Sequence, residues 1–250
     1  MKTNKILLGA LRVSALAALF AMTPAQAQTV NVELLNNTVP DPTSGTYTGV
    51  AAASDLGTYW NAIAATPYGT PSFTNSTTLK QSNGSTTSAV SFRLTSTSGL
   101  FGLSSAGATF ADPLMNEWIN PGNGSITAGN PASLTITGLS PFTVYNLYLY
   151  SQNGSEDYAS TSFNFGSVKT ATNTESDTSF VAGANYVEFT LVANGSGDIS
   201  GTYYLAEGGS IEGINGFQIQ SVPEPASLAT MSLVGIAMLV FCKRFKKQSV

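Results

Sequence analysis

The sequence predicts an all-β protein: an antiparallel β-sandwich, jelly-roll-like, of about 8–10 strands, with an N-terminal signal peptide and one C-terminal transmembrane helix. Three observations predict it. Several short segments alternate apolar and polar residues with a period of two. Turn-forming Asn, Gly, Ser and Pro recur between those segments. Long apolar runs stand only at the two ends, together with most of the basic charge.

The first element is residues 1–27. MKTNK is positive, ILLGALRVSALAALFAM is apolar, and Ala25-Gln26-Ala27 puts small residues at −3 and −1 relative to Gln28. That order is a secretory signal peptide cleaved after Ala27. Arg12 interrupts the apolar run and argues against an uncleaved anchor.

The exported domain spans 28–221. A strand is expected at 29–35, and then Val90, Phe92 and Leu94 alternate with Ser91, Arg93 and Thr95. Leu134 and Ile136 alternate with Ser133, Thr135 and Thr137; Phe163 and Phe165 flank Asn164; Val187, Phe189 and Leu191 alternate with Glu188 and Thr190. Each is a strand with one buried face. VYNLYLY at 144–150 is apolar on both faces apart from Asn146, as a central strand covered on both sides would be. Further strands are expected at 199–205 and 216–220. DPLMNEWI at 112–119 reads as a short helix or turn, with Asp112 as its cap and Pro113 at the first helical position. Asn-Gly-Ser occurs at 83, 123, 153 and 194 with unlike flanks, so the triplets are turns rather than a repeat.

The last element is residues 222–250. Val222-Pro223-Glu224-Pro225 cannot be helix or strand interior and forms an exposed joint. Residues 226–242 are 17 uncharged, mostly apolar residues, a helix of roughly 25 Å that just crosses a bilayer. Lys243, Arg244, Lys246 and Lys247 then act as a membrane stop, within a basic cytoplasmic end at 243–250.

Charge follows the same division. The chain carries −4 overall, but residues 28–222 hold thirteen acids against Lys80, Arg93 and Lys169, a net −10. Such a domain repels phosphate, and nucleic acid is excluded as a partner. With no histidine and one cysteine, Cys242, there is no imidazole base, no disulfide within the chain and no thiolate metal cluster. No cofactor is called for; a structural Ca²⁺ suits an acidic exported sandwich, but no spaced acidic loop identifies ligands.

Carboxylate sugar chemistry is the enzymatic alternative, a small carbohydrate-active enzyme. It needs two acids facing across a cleft, which sequence does not reveal. Sugar binding without catalysis needs an aromatic face beside amides or carboxylates. The candidates are Trp60 with Asn61, Trp118, and Asp157 in the loop Asn153–Tyr158. Core packing is the competing reading for both tryptophans, and a solvated loop for Asp157.

A PEP tripeptide, a short apolar helix and a terminal Arg/Lys cluster, in that order, resemble the PEP-CTERM sorting domain. The match at Pro223, Glu224 and Pro225 follows the family pattern. The resemblance implies Sec export, transient anchoring in the inner membrane, processing by exosortase in a Gram-negative, polysaccharide-making bacterium, and delivery to the cell surface or its matrix. YWNAI at 59–63, TITGLSPFTVYNLYLYSQNG at 135–154, ANYVEFTLVANGSGDISGTYY at 184–204 and INGFQI at 214–219 resemble galactose-binding-like or lectin-like sandwich modules. Together these imply a non-catalytic polysaccharide-binding or matrix structural protein.

Overall fold

The computed structural model describes residues 28–36, 47–53, 57–65, 69–104, 114–122, 127–152, 160–172, 179–206 and 213–223. The chain divides into two units, Gln28–Val222 and the two ends, 1–27 with 223–250. Ala25 and Ala27 of the expected signal peptide, Glu224 and Pro225, the helix expected over 226–242, and the expected membrane-stop residues Lys243, Arg244, Lys246 and Lys247 lie outside the described residues. So do Asp112, Pro113 and Asp157.

The unit Gln28–Val222 is all-β and sandwich-like, with twelve strands among the described residues, more than the 8–10 expected. They are β1 (Thr29–Asn36), β2 (Asn61–Ala65), β3 (Thr70–Thr74), β4 (Ser91–Ser104), β5 (Glu117–Asn120) and β6 (Ala132–Thr137). The rest are β7 (Val144–Tyr150), β8 (Thr161–Asn164), β9 (Val168–Ala171), β10 (Tyr186–Val192), β11 (Ile199–Leu205) and β12 (Gly216–Ser221). Of the short helix or turn expected over 112–119, the described part is turn and then strand, with no helix. Leu114–Asn116 form a turn and Glu117–Asn120 a strand whose four residues are all buried. A helix would bury one stripe only; extended chain lets this segment pair with β4 and exchange two backbone hydrogen bonds between Ile119 and Ile214.

One sheet has five strands in the order β10-β7-β12-β1-β2; the other has seven, β3-β4-β6-β11-β8-β9 with β5 on β4. Pairing is antiparallel except between β1 and β2, which run parallel. A parallel neighbour needs a long return connection, and the segment between these two strands supplies it. Strand β4 serves three partners: β6 along its first half, β3 on its other edge, and β5 with its last residues. Between these partners stands Gly99, whose φ of 90° strains any L side chain and where a Cβ would press on the Gly69 carbonyl oxygen at 3.0 Å.

The core between the sheets follows from alternation. Val30, Val32 and Leu34, Leu147 and Leu149, and Phe217 and Ile219 come from one sheet; Phe92 and Leu94, Leu134 and Ile136, and Tyr203 come from the other. Each such side chain, fully buried, contributes about 1.5–3 kcal/mol. Among the described residues no helix fastens the loops, and the chain's single cysteine forms no disulfide within it; buried amides do that work. Asn215 accepts from the Gln152 N–H at 2.6 Å and donates to the carbonyls of Glu117 and Gln152 at 2.8 and 2.9 Å. Asn75 accepts from the Phe92 N–H at 2.7 Å and donates to the Thr77 carbonyl at 2.9 Å. Two Asn-Gly-Ser triplets are turns as expected: Asn83 accepts from the N–H groups of Ser85 and Thr86, and Asn194 from those of Ser196 and Asp198.

Candidate functional site

On β7 the odd-numbered residues face the shared core, and Tyr148 and Tyr150 project to the opposite face of the five-stranded sheet. There a second cluster forms from Tyr47, Ala51, Trp60, Leu114, Met115 and Tyr150. Trp60 meets Tyr47 edge-on at 5.4 Å between ring centroids and Tyr150 at 5.9 Å, the geometry that the ring quadrupoles favour. Its indole N–H donates to the Gly49 carbonyl at 3.2 Å.

Beneath the rings runs a polar row made by the alternate residues of β1 and β12. The Tyr150 hydroxyl donates to Gln218 Oε1 and accepts from the Ala52 N–H at 3.1 Å. Gln218 Nε2 donates to Asn31 Oδ1 at 3.0 Å, and Asn31 Nδ2 donates to the Tyr59 carbonyl at 3.0 Å. Glu33 accepts from the Tyr47 N–H at 2.9 Å. Burial pushes the Tyr150 phenol well above its ordinary value. Burial, and then the nearby Glu33 carboxylate, also raise Tyr47; burial and Glu188 raise Tyr186. These phenols stay neutral donors.

Beside this cluster lies a groove of about 400 Å³ lined by Tyr47, Thr48, Thr58, Tyr59, Trp60 and Ala62. It offers two exposed threonines and the half-buried Tyr59, with the Lys80 ammonium 5.5 Å from the centre of the Tyr59 ring. None of these described lining residues is a carboxylate. Its described walls offer hydroxyls and ring edges and, among the described residues, no acid–base pair.

The residues singled out from sequence are placed as follows. Trp60 is 2% exposed and floors the groove rather than presenting a face to it. Asn61 is buried, with its amide bonded to the backbone of Asn31 and Lys80. Trp118 is 5% exposed on β5, its indole laid against Gly213 where a side chain would collide. The two tryptophans belong to different packing environments. Among the described residues, no three of His, Cys, Asp and Glu come together as metal ligands.

Sequence reasoning passed over Phe142. It is the one non-glycine residue with positive φ among the described residues, at 58°, and is 75% exposed. It sits third in the turn Ser140–Thr143, closed by the Thr143 N–H on the Ser140 carbonyl at 3.3 Å. Pro141 at the second position is the available signal: Pro there sets up a turn whose third residue is usually Gly or Asn. A Phe at that position stands out.

The two termini of the unit meet. Gln28 N–H donates to Ser221 Oγ at 2.8 Å, and the Ser221 N–H donates to the Gln28 carbonyl at 2.9 Å. The Gln28 side chain donates to Ser88 Oγ at 3.1 Å and accepts from the Tyr145 hydroxyl at 3.4 Å. Compared with known proteins, the chain matches no family model and no curated sequence.

Proposed function

We propose that this chain is an exported surface or matrix protein, sorted by exosortase, whose jelly-roll-like sandwich is a non-catalytic polysaccharide-binding or structural element. In this reading residues 1–27 are removed after Ala27, the 226–242 helix anchors the chain transiently in the inner membrane, and the tail is cut near Pro223-Glu224-Pro225. The observation that carries it is a coincidence of boundaries. The unit begins at Gln28, the residue after the expected cleavage, and ends at Val222, the residue before the PEP motif. A domain with boundaries at the two processing positions supports removal of both ends without loss of the fold.

Intact-mass analysis of the protein from its native host tests this. The expected product starts at Gln28 and lacks residues 226–250. A surface product that retains that helix and its basic end overturns the sorting reading.

A further inference from the structure

A phenylalanine at a left-handed turn position is unfavourable twice. The conformation is strained for an L-residue, and a ring 75% exposed gains little from burial. The fold does not call for it, since Gly or Asn fits the third position of such a turn better, and every other positive-φ position among the described residues is Gly. Strain of this kind concentrates at sites that bind.

The surroundings of the ring are well defined. Its turn is zipped to the turn Asn194–Asp198 by three backbone hydrogen bonds: Leu139 N–H to the Gly197 carbonyl, Phe142 N–H to Ala193, and Ala193 N–H to Thr143, each at 3.0 Å. The Ser140 N–H is held by the Tyr145 hydroxyl at 2.9 Å. The ring tip lies over Gly195, where an added Cβ would stand 3.2 Å from Phe142 Cζ. Exposed Asn194 and Ser196 and half-buried Asp198 stand on that neighbouring turn. An exposed ring lying against a turn that carries a hydroxyl, a carboxylate and an amide, the amide's Oδ1 being taken by the Ser196 and Asp198 N–H groups, has the chemistry of a saccharide subsite: the ring takes the C–H face of a pyranose and the remaining polar groups of the turn take its hydroxyls. The net −10 of residues 28–222 disfavours anionic lipid or a polyanion as occupant.

We infer that the paired turns Ser140–Thr143 and Asn194–Asp198 form a binding site for uncharged polysaccharide, with Phe142 as its stacking platform. This inference rests on the polysaccharide reading above and gives it a place, separate from the groove at Trp60. Pre-organisation of the turn by its backbone bonds limits the ordering cost of binding.

The test is affinity electrophoresis of the full chain in mild detergent, through gels containing dextran, galactomannan or polysaccharide extracted from the host. Wild type is compared with Phe142→Asn and Phe142→Leu, and each variant's thermal midpoint is measured alongside. Phe142→Asn relieves the turn and should melt at the same temperature or higher while losing retention by about tenfold or more. Phe142→Leu keeps an apolar side chain without a flat ring and should lose retention as well. Equal retention of all three proteins overturns the Phe142 site and leaves polysaccharide binding standing elsewhere on the chain. Absence of retention by any polysaccharide, or binding of wild type but not Phe142→Asn to phosphatidylglycerol vesicles, overturns the saccharide assignment. The sorting reading, read by intact mass, is unaffected by either result.

Discussion

The side chain of Asn61 completes a strand pairing with the backbone of Lys80. Its Oδ1 accepts from the Lys80 N–H and its Nδ2 donates to the Lys80 carbonyl, both at 2.8 Å, while Nδ2 also donates to the Asn31 carbonyl at 2.9 Å. Strand β2 is the edge of its sheet, and a side-chain amide here takes the place of the next strand.

Asn61→Ala is therefore expected to destabilise the protein by about 2–3 kcal/mol, because part-buried backbone groups lose their partners. Asn61→Asp separates this from simple loss of volume. Its carboxylate faces two carbonyl oxygens, so its pKa is raised in the folded state. The folded form then binds the extra proton, and the deficit should shrink as pH falls through that pKa. Urea unfolding at pH 7 and pH 4 reads both effects; equal deficits at the two pH values would count against the clamp.

Gly216 lies opposite Glu33 in the β1–β12 pair, and a Cβ there would stand 2.2 Å from the Val32 carbonyl oxygen. Backbone cannot swing aside as a side chain can. Gly216→Ala should cost about 1–3 kcal/mol or more. Denaturant midpoints measure it, and an unchanged midpoint would show that β1 and β12 tolerate separation.

Stability should hold nearly level between about pH 6 and 9, since residues 28–222 contain no histidine or cysteine. Above about pH 10 it should fall. Tyr150, Tyr47 and Tyr186 have raised values in the fold, so the unfolded chain releases those protons first and is favoured as pH rises. Tyr150→Phe should lower stability at neutral pH, by loss of the bonds to Gln218 and Ala52, and make the alkaline decline shallower. Thermal midpoints across the range test both halves, and a decline as steep in the variant as in wild type would exclude Tyr150 as a source.

In the proposed processing, cleavage after Ala27 would leave Gln28 as an N-terminal glutamine, a residue that cyclises when its α-amine attacks the side-chain amide carbon and expels ammonia. The bonds to Ser88, Tyr145 and Ser221 hold amide and amine in place. The folded protein should keep the open form, while the same N-terminal peptide after proteolysis cyclises. Mass spectrometry sees the loss of one ammonia; rapid cyclisation in the folded protein would show that these bonds do not hold.

How far the fold was legible depended on the two faces of each strand. Segments with one apolar and one polar face, such as Leu134 to Thr137 in β6 and Val187 to Leu191 in β10, announced themselves. The four strands passed over lack that contrast. Strand β5 is buried throughout, β9 is mostly exposed, β2 is largely alanine, and β3 contains Pro71, which suits only an edge. For the site, residue type was visible but partners were not. Trp60 is covered by Tyr150, far along the chain, and only the tertiary structure brings the two together. Phe142 was hidden for the opposite reason: its distinction is a backbone angle, which the letter F does not carry.

The hydrogen bonds between Gln28 and Ser221 make the sandwich a closed circuit, with entrance and exit at one doorway. A linker of a few residues from Ser221 to Gln28 should cyclise the domain without disturbing a strand, and new ends opened at an exposed turn such as Asn83–Thr86 should be accepted. The same arrangement lets the domain be spliced as a cassette into a loop of another protein, because a host need offer only two neighbouring attachment points.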